Sequence, residues 1–385
     1  MKVCLINNFY EPFGRGGAEQ VVASLADALE SAGHRAVIIT AGPERNGREA
    51  RGGRTIYRLA GFNSAIFRLG RWPKFLRLCW HLFAPFDFVT AGKIKKIIAA
   101  ERVDLVWTHN LLGLGLLAPR RIKKQGIKHY HTLHDLQLLH PSGQIFWGKE
   151  KTLASVWSRA YQAMSRSLIG SPDLVISPSG WLLKEHLARG FFKDSRTRTL
   201  LNPAPETAAG TDGARRPRTP FKFLFVGQLE KHKNILWLAE EFPAAAPPDT
   251  RLLIAGGGSL RPALEALAKN DPRLELAGKK SRDEIFTLMR EADCLIVPSV
   301  CYENSPTVIL EAVAAQLPVV ASRIGGIPEL LGGRAELLFM PGNARELKER
   351  LAWVIDNYPR ALEAAADLRR KLPLLTAEEY LKKIL

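Results

Sequence analysis

The stretch CLIVPSVCYENSPTVILEAVAAQLPVVAS (294–322) decides the fold class, because it contains two strand-like runs and a helical segment. CLIVPS (294–299) and PVVAS (318–322) have the length of buried strands, and the residues between them have an apolar helical pattern. A helix that joins two strands of one sheet makes those strands parallel. Ligands of such sheets bind at the carboxyl ends of the strands. The residues after Ser299 are therefore the first candidates for a functional site.

The same alternation of strands and helices runs through both halves of the chain. The predicted strands are KVCLINN (2–8), RAVIIT (35–40), LVWTHN (105–110), HYHTLHD (129–135), LVISPS (174–179), FKFLFVG (221–227), RLLIAGG (251–257), LELAG (274–278) and the two above. This alternation predicts an α/β protein with parallel sheets.

Length and composition predict two domains. The chain has 385 residues, more than one hydrophobic core usually fills. Residues 202–220 are rich in Pro, Gly, Ala and Thr, as is typical of a linker. We therefore expect two doubly wound, Rossmann-like domains that face each other across a cleft, at 1–201 and 221–359. The helical C-terminal segment 360–385 is expected to pack on the first domain.

The location expected from the sequence is the cytoplasm. Four scattered cysteines without a CxxC pair suit a reducing compartment. The N-terminal residues have the pattern of a first strand and not of a signal peptide, and no apolar run reaches the roughly 20 residues of a membrane span.

Positive charge is concentrated in the first half of the chain. Residues 1–200 contain 30 Lys and Arg against 14 Asp and Glu, whereas residues 201–385 contain 25 against 24. The segment 64–86 mixes aliphatic and aromatic residues with Arg68, Arg71, Lys74 and Arg77. It is a candidate for contact with an acceptor or an anionic membrane surface. The alternative is a helical lid packed on its own domain, and without a nucleic-acid module we expect no nucleic-acid partner.

YENSPTVILE (302–311) is the strongest candidate site. Ser305 is expected to cap a helix with Pro306 at its first position, which leaves Glu303 in the loop and Glu311 on the second turn. The N–H groups of the first helical turn suit a phosphate. A phosphate site flanked by two carboxylates matches a nucleotide sugar, a diphosphate between two hydroxylated rings. The alternative is a solvated Glu303 and a Glu311 paired with an arginine.

Two further loops add basic and flexible residues. Lys231 and Lys233 follow the strand that ends at Gly227, where they would neutralise a diphosphate; the alternative is an ordinary basic surface. Gly16 and Gly17 precede the first helix and allow the backbone to approach a ligand, although a plain tight turn has the same composition.

Four of the nine histidines lie between residues 129 and 140. A zinc site at His129 and His131 is an alternative, but the spacing matches no zinc motif. We favour His134, at the end of a predicted strand, as a contact for a sugar hydroxyl. The chain has no DxD pair, so we expect no metal and no cofactor, with lysines and helix dipoles holding the diphosphate.

Taken together, these motifs resemble the family-4 (group 1) retaining glycosyltransferases of the GT-B fold. The resemblance rests on residues 302–331, supported by GRGGAE (14–19), TLHD (132–135) and the Asn202-Pro203 pair. It implies transfer of a sugar from a UDP- or GDP-linked donor with retention of the anomeric configuration and without an enzymic nucleophile. The implied acceptor is a glycan or a lipid-linked glycan at the membrane surface, which makes the protein peripheral to the membrane in polysaccharide biosynthesis.

The resemblance also implies the roles of individual residues. His134 lies under the transferred sugar, Glu303 contacts that sugar, Glu311 contacts the ribose and Lys233 binds the diphosphate. The remaining donor contacts expected from these motifs are Gly16, Gly17, Gln228, Lys231, Asn304 and Ser305.

Two positions depart from the family pattern. Gln228 replaces the usual arginine after the strand glycine, which removes a permanently charged fork from the diphosphate site. Gln316 stands at a helix end that favours glycine. The first departure leaves a degenerate transferase with little turnover as an alternative. A nucleotide-sugar epimerase of the same fold is a second alternative.

Overall fold

A computed structural model describes residues 1–14, 16–204 and 216–385, with the backbone alone at positions 71, 74 and 78. The chain divides into two compact units. The first contains residues 1–145, 150–203 and 375–385, and the second contains residues 146–149 and 204–374. Most of the predicted linker, residues 205–215, lies outside the described residues.

The first unit is built on an eight-stranded sheet of order β3-β4-β2-β1-β5-β6-β7-β8, in which every pair is parallel except the antiparallel β3–β4. Its elements are β1 (Lys2–Ile6), α1 (Gly17–Ser31), β2 (Arg35–Ala41), β3 (Gly47–Arg51), β4 (Arg54–Leu59), α2 (Lys74–Phe83), α3 (Phe88–Glu101), β5 (Leu105–Thr108), α4 (Leu117–Lys123), β6 (Lys128–Thr132), α5 (Val156–Ile169), β7 (Leu174–Ser177), α6 (Gly180–Leu187) and β8 (Arg196–Thr199).

The second unit is built on a six-stranded parallel sheet of order β11-β10-β9-β12-β13-β14. Its elements are β9 (Phe221–Val226), α7 (Ile235–Ala245), β10 (Thr250–Ala255), α8 (Arg261–Asn270), β11 (Leu274–Gly278), α9 (Arg282–Glu291), β12 (Cys294–Val297), α10 (Thr307–Ala314), β13 (Val319–Ser322), α11 (Ile327–Leu330), β14 (Leu338–Phe339), α12 (Ala344–Asp356) and α13 (Tyr358–Lys371). The prediction of an α/β protein with two parallel-sheet domains is confirmed.

Each unit has its own hydrophobic core. In the second unit the core includes Phe223 of β9 and Phe242 of α7, whose rings meet edge to face. In the first unit it includes Trp107 of β5 and Leu25 of α1. Because β5 and β9 are inner strands of their sheets, the loops that follow them start from strands whose side chains are mostly buried. Among the described residues, no helix is long and apolar enough to cross a membrane.

The assignment of 360–385 to the first domain is wrong for most of that segment. Residues 360–374 lie in the second unit, where α13 packs on α10 and Arg369 donates a hydrogen bond to the carbonyl of Ala314. Only the last helix, α14 (Ala377–Ile384), belongs to the first unit, where its Tyr380 stacks on Trp107. The chain leaves the helical conformation at Leu372, the residue before Pro373, as expected before a proline.

Gln316, just after the end of α10, has the left-handed backbone conformation that favours glycine. The residue follows α10 with a φ of 51°, in the left-handed region. Glycine adopts this conformation without the steric cost that a Cβ adds.

Candidate functional site

Lys233 and Glu303 form an ion pair in the second unit. Lys233 ends a short 3₁₀ helix (Lys231–Lys233) after β9, and Glu303 lies in the loop between β12 and α10. The Nζ of Lys233 lies 2.5 Å from Oε1 of Glu303, and the hydroxyl of Ser299 donates to the same oxygen at 2.8 Å. The backbone N–H of Val300 also donates to the carbonyl of His232. Because β9 and β12 are neighbours in the sheet, these contacts join the two loops at the carboxyl ends of their strands.

Both members of the pair are charged at neutral pH. Burial raises the pKa of Glu303, but the charge of Lys233 and the hydrogen bonds from Lys233 and Ser299 outweigh it, so the net pKa lies below its usual range. For Lys233, burial lowers the pKa, but the charge of Glu303, the nearby Cys301 and the hydrogen bond to Glu303 together outweigh burial, so the net pKa is raised. The pair therefore presents a fixed cation and a fixed anion side by side. Glu303 is therefore not a solvated side chain, and the alternative of a solvated Glu303 is wrong.

Glu311 has the opposite electrostatic environment. It lies on α10 and is only 7% exposed. Burial raises the pKa of its carboxyl, an effect that the charge of Arg282 only partly offsets. A buried carboxylate of this kind is stabilised by hydrogen bonds from a bound ligand.

The start of α10 differs by one residue from the prediction. Pro306 is the N-cap and Thr307 the first helical residue, so the prediction that Ser305 caps the helix is wrong. The Oγ of Ser305 is buried and has no hydrogen-bond partner within the described parts of the chain. The physical reason is that Pro306 has a ψ of 118°, an extended conformation that places it before the helix rather than inside it. Asn304, the neighbouring predicted contact, is also buried.

A glycine turn supports the backbone of Glu303. Gly325 has a φ of 59°, and a Cβ at this position would lie 2.1 Å from the carbonyl oxygen of Glu303. The N–H of Gly326 donates to the same oxygen at 2.9 Å. The turn after β13 therefore holds the backbone of Glu303 in place, and only glycine allows the close approach.

We predict that Gly325→Ala weakens donor binding at least about tenfold, because Glu303 must move to make room for the methyl group. Gly333→Ala is the matched control: its φ is 67°, but a Cβ there meets no atom within 4 Å. Both variants carry the backbone strain of about 1–2 kcal/mol that a left-handed alanine costs. Calorimetric titration with donor separates the two effects. Equal affinities in the two variants would show that the contact with Glu303 is irrelevant to binding.

The loop that contains Gln228 rests on a second glycine turn. The N–H of Gly227 donates to the carbonyl of Ala255, and that of Leu229 donates to the carbonyl of Gly257. A Cβ on Gly256 would lie 1.8 Å from the carbonyl oxygen of Gly227. The glycines at 256–258 therefore support the neighbouring loop. Lys231 is exposed on the same loop, which leaves its ammonium available to an anionic ligand.

A short segment from the first half of the chain belongs to the second unit and was missed in the sequence. Phe146 forms an antiparallel bridge with Cys301, and the N–H of Trp147 donates to the carbonyl of Val300 at 2.7 Å. The ring of Trp147 lies 6.4 Å from that of Tyr302. These contacts hold the residues immediately before Glu303.

In the first unit, His134 follows β6 and contacts His109, which follows β5. The Nε2 of His134 and the Nδ1 of His109 are 2.9 Å apart. Burial lowers the pKa of His134 to about 4, so its imidazole is neutral. Asp135 beside it accepts a hydrogen bond from the N–H of Gln137, and burial raises its pKa to about 7. His109 was not predicted, although its place at the end of the strand LVWTHN was a signal.

His129 and His131 lie in the sheet and contact a buried hydroxyl. The Oγ1 of Thr108 is 2.8 Å from Nε2 of His129 and 2.9 Å from Nδ1 of His131. The described residues contain no group of three or more His, Cys, Asp or Glu side chains that could hold a metal ion. These two histidines therefore have a structural environment, not that of a zinc site.

The glycine loop lies at the start of α1. Gly17 is the first residue of the helix, and the N–H of Gly16 donates to the carboxylate of Glu19 at 2.7 Å. This hydrogen bond places an acidic side chain at the positive end of the helix dipole. The residue between Gly14 and Gly16, Arg15, lies outside the described residues.

The basic segment of the first unit combines positive charge with exposed apolar side chains. Arg68 is exposed and lies 3.8 Å from Glu44, whereas Arg77 is half-buried. The side chains of Arg71 and Lys74 lie outside the described part of the chain. The exposed large apolar residues between positions 62 and 89, which we call the apolar rim, are Phe62, Phe75, Leu76, Leu82, Phe83, Phe86, Phe88 and Val89.

Comparison with known proteins places both halves of the chain in related families. Residues 15–205 match the family described as Glycosyltransferase Family 4, and residues 220–357 match Glycosyl transferases group 1. A 42.6 kDa protein of the cps region of Klebsiella pneumoniae, which is uncharacterised, is 27% identical over 86% of this chain and 87% of its own. A glycogen synthase of Mycobacterium tuberculosis is 26% identical over 97% of this chain and 90% of its own.

Solved structures share the fold over the whole chain. Sucrose-phosphate synthase from Thermosynechococcus elongatus superposes with a TM-score of 0.72 at 19% identity and covers 100% of this chain and 98% of its own. Anabaena HepE in complex with UDP-glucose superposes with a TM-score of 0.70 at 17% identity, with 100% and 98% coverage. The fold is therefore the GT-B fold of glycosyltransferases.

Proposed function

Because the chain belongs to the group 1 glycosyltransferases of family 4, we propose that it transfers a sugar from a nucleotide-sugar donor to a lipid-linked or cell-envelope glycan, with retention of configuration and without a metal ion. The observation that carries the proposal is the Lys233–Glu303 pair at the ends of two neighbouring strands, followed by the buried Glu311 on α10. Structures of UDP-bound and UDP-glucose-bound relatives of the same fold support a nucleotide-sugar ligand.

Each group of the second unit has a role that its environment suits. The diphosphate takes the N–H groups at the start of α10 and the ammonium of Lys233. The exposed Lys231 adds only a weak attraction that solvent screens, so it does not replace the charge that Gln228 lacks. The Glu311 carboxylate accepts hydrogen bonds from the ribose. Glu303, held by Ser299 and the Gly325 turn, accepts hydrogen bonds from the hydroxyls of the transferred sugar.

The reaction needs no enzymic nucleophile. The bond between the anomeric carbon and the phosphate oxygen breaks, and the acceptor oxygen forms a new bond to that carbon on the same face of the ring. The proton of the acceptor hydroxyl passes to the departing phosphate oxygen, so the charges balance. The cations at the diphosphate lower the barrier because negative charge accumulates there as the bond breaks.

A panel of nucleotide sugars tests the proposal. The protein is incubated with each donor and a lipid-linked acceptor extract, nucleotide release is followed, and the linkage of the product is read by NMR. We expect one donor to react and to give a product of unchanged anomeric configuration. A donor that binds without release would identify the degenerate transferase, and an inverted product would overturn the retaining mechanism.

The apolar rim supports an acceptor at a membrane surface. Phe75 and Phe83, on α2, are each 65% exposed. They lie within residues 51–100, which contain ten Lys and Arg residues and a single acidic residue, Asp87. Exposed aromatic side chains beside lysines and arginines are typical of surfaces that bind anionic lipids.

We predict that the Phe75→Ser/Phe83→Ser variant loses at least about tenfold in its partition onto anionic vesicles, since each phenylalanine buries about 1.5–3 kcal/mol of transfer free energy when fully inserted. Flotation of vesicles with and without anionic lipid measures the partition. Leu187→Ser is the control, because this residue of α6 is 42% exposed but lies outside the rim. Equal recovery of the wild type on neutral and anionic vesicles would contradict a membrane surface as the partner.

A further inference from the structure

A tight turn holds Trp147 in the second unit, beside the loop that carries Glu303. The N–H of Lys149 donates to the carbonyl of Phe146 at 3.0 Å, and Gly148 has a φ of 75°. A glycine with positive φ at the third position is what a type II turn needs, and it places the second residue, Trp147, at the corner. The turn belongs to the second unit, although the chain before and after it belongs to the first.

The turn is anchored through its backbone, and the side chain of Trp147 stays partly exposed. The bridge of Phe146 with Cys301 and the hydrogen bond from the N–H of Trp147 to the carbonyl of Val300 fix the main chain. Trp147 itself is 39% exposed. Its ring lies 6.4 Å from that of Tyr302, at an angle of 37°. A large aromatic ring is therefore held at a fixed position without being buried.

The neighbourhood of Glu303 indicates which ligand this ring suits. Tyr302 directly precedes Glu303, whose carboxylate we assign to the hydroxyls of a sugar. A pyranose ring carries its hydroxyls at the rim and presents C–H groups on its faces. The face of an aromatic ring is partially negative and apolar, so it attracts such C–H groups and removes them from water. A carboxylate and an adjacent aromatic ring therefore complement the two different parts of a sugar.

We propose that Trp147 is a platform on which a pyranose ring stacks, in a sugar subsite of the second unit beside Glu303. The ring belongs either to the transferred sugar or to the acceptor glycan, since both present the same C–H face. The role of the subsite in transfer rests on the proposed function, whereas stacking on Trp147 needs no turnover. A purely structural Trp147, which only packs on Tyr302 and supports the loop, would make no contact with a sugar.

Fluorine NMR of the full-length protein labelled with 5-fluorotryptophan detects the contact directly. The chain has eight tryptophans, and Trp147→Phe identifies the signal of Trp147. The probes are UDP and GDP, UDP-glucose, UDP-galactose, UDP-N-acetylglucosamine, GDP-mannose, and the methyl glycosides of these four sugars. We expect at least one sugar-containing probe to shift this signal and the free nucleotides to leave it in place. A signal that no sugar moves, or that UDP or GDP alone moves equally, would overturn the proposal.

The same spectra identify the source of the sugar. A shift caused by a nucleotide sugar, but by none of the methyl glycosides, assigns the platform to the transferred sugar. A shift caused by a methyl glycoside added to the protein already saturated with UDP or GDP assigns it to the acceptor. Both results support stacking on Trp147.

Two variants of Trp147 separate stacking from packing. Trp147→Leu keeps an apolar contact with Tyr302 but removes the aromatic face, whereas Trp147→Phe keeps a smaller one. We expect affinity for the sugar probe that shifts the signal to fall about three- to tenfold in the leucine variant and less in the phenylalanine variant, with unchanged affinity for the free nucleotide. Trp157→Leu is the control, because this residue of α5 is 83% exposed but lies in the first unit.

Equal affinity of the wild type and Trp147→Leu for that sugar would leave Trp147 a structural role only and overturn the proposal. Failure of the proposed function has a different signature. In that case Glu311→Gln binds nucleotide sugars as the wild type does, while sugars still shift the signal of Trp147.

Discussion

Lys233→Ala is expected to lower kcat/KM for sugar transfer by about 10²–10³-fold, the usual effect of removing one charged group that stabilises a transition state. The ammonium lies 2.5 Å from Glu303 in the loop after β9, where the proposed function places the diphosphate. Its removal takes away the cation at the leaving group. It also leaves the carboxylate of Glu303 buried without its ionic partner, which displaces a second contact with the donor. Initial rates of nucleotide release with the reacting donor measure the effect.

Lys231→Ala is the matched control for this variant. Lys231 begins the same 3₁₀ helix, but its side chain is exposed, where a charge contributes little. We expect its kcat/KM to fall by about threefold or less. Circular dichroism and the melting temperature of both variants show whether the loop remains folded. Turnover of Lys233→Ala within threefold of the wild type would remove Lys233 from the mechanism.

Glu311→Gln is expected to raise the melting temperature at pH 7 while it weakens donor binding. Burial raises the pKa of Glu311, so the folded protein holds this proton more tightly than the unfolded chain. The ionised carboxylate therefore opposes folding above the unfolded pKa, and stability falls as the pH rises from that value through the raised folded pKa. Glutamine removes this penalty. Melting curves from pH 4 to pH 8 should show the two proteins converging at the acid end.

Glu303→Gln provides a comparison of opposite sign. Lys233 and Ser299 hold the pKa of Glu303 below its usual range, so its carboxylate stabilises the fold above the unfolded pKa and this contribution is lost as the pH falls through the folded pKa. We expect Glu303→Gln to melt below the wild type at pH 7, and the difference to shrink in acid. A stabilised Glu303→Gln or a destabilised Glu311→Gln would contradict the electrostatic description of the site.

Most of the buried strands of the fold could be predicted from the sequence, whereas the two exposed strands, the half-buried β4 and the very short β14 could not. Each of the ten predicted apolar runs overlaps a strand, because parallel strands covered on both faces are continuously apolar. The unpredicted strands are β3, β4, β8 and β14. GREAR in β3 and RTRT in β8 are fully exposed, and β14 has two residues. Their pairing depends on neighbouring strands, which no local pattern records.

The candidate site, too, could be predicted from the sequence only where its residues belong to one local segment. Glu303 and Glu311 were recognised because their spacing follows one local strand–loop–helix unit. The ion pair of Glu303 with Lys233 joins residues 70 positions apart, and its support by Gly325 depends on a turn after another strand. His109 was missed for a related reason. It becomes a candidate only through its contact with His134, which follows the adjacent strand and lies 25 positions later in the chain. Local sequence identifies candidate residues, whereas the sheet order decides which of them meet.

Calorimetric titration of the reacting nucleotide sugar into the wild type and into Glu311→Gln tests the central claim, that the second unit binds the donor, most directly. The account predicts one donor per chain for the wild type. It predicts affinity about 10- to 100-fold weaker in the variant, the effect of losing hydrogen bonds to a charged group. Equal affinity of the two proteins, or no binding of any nucleotide sugar to the wild type, would contradict it.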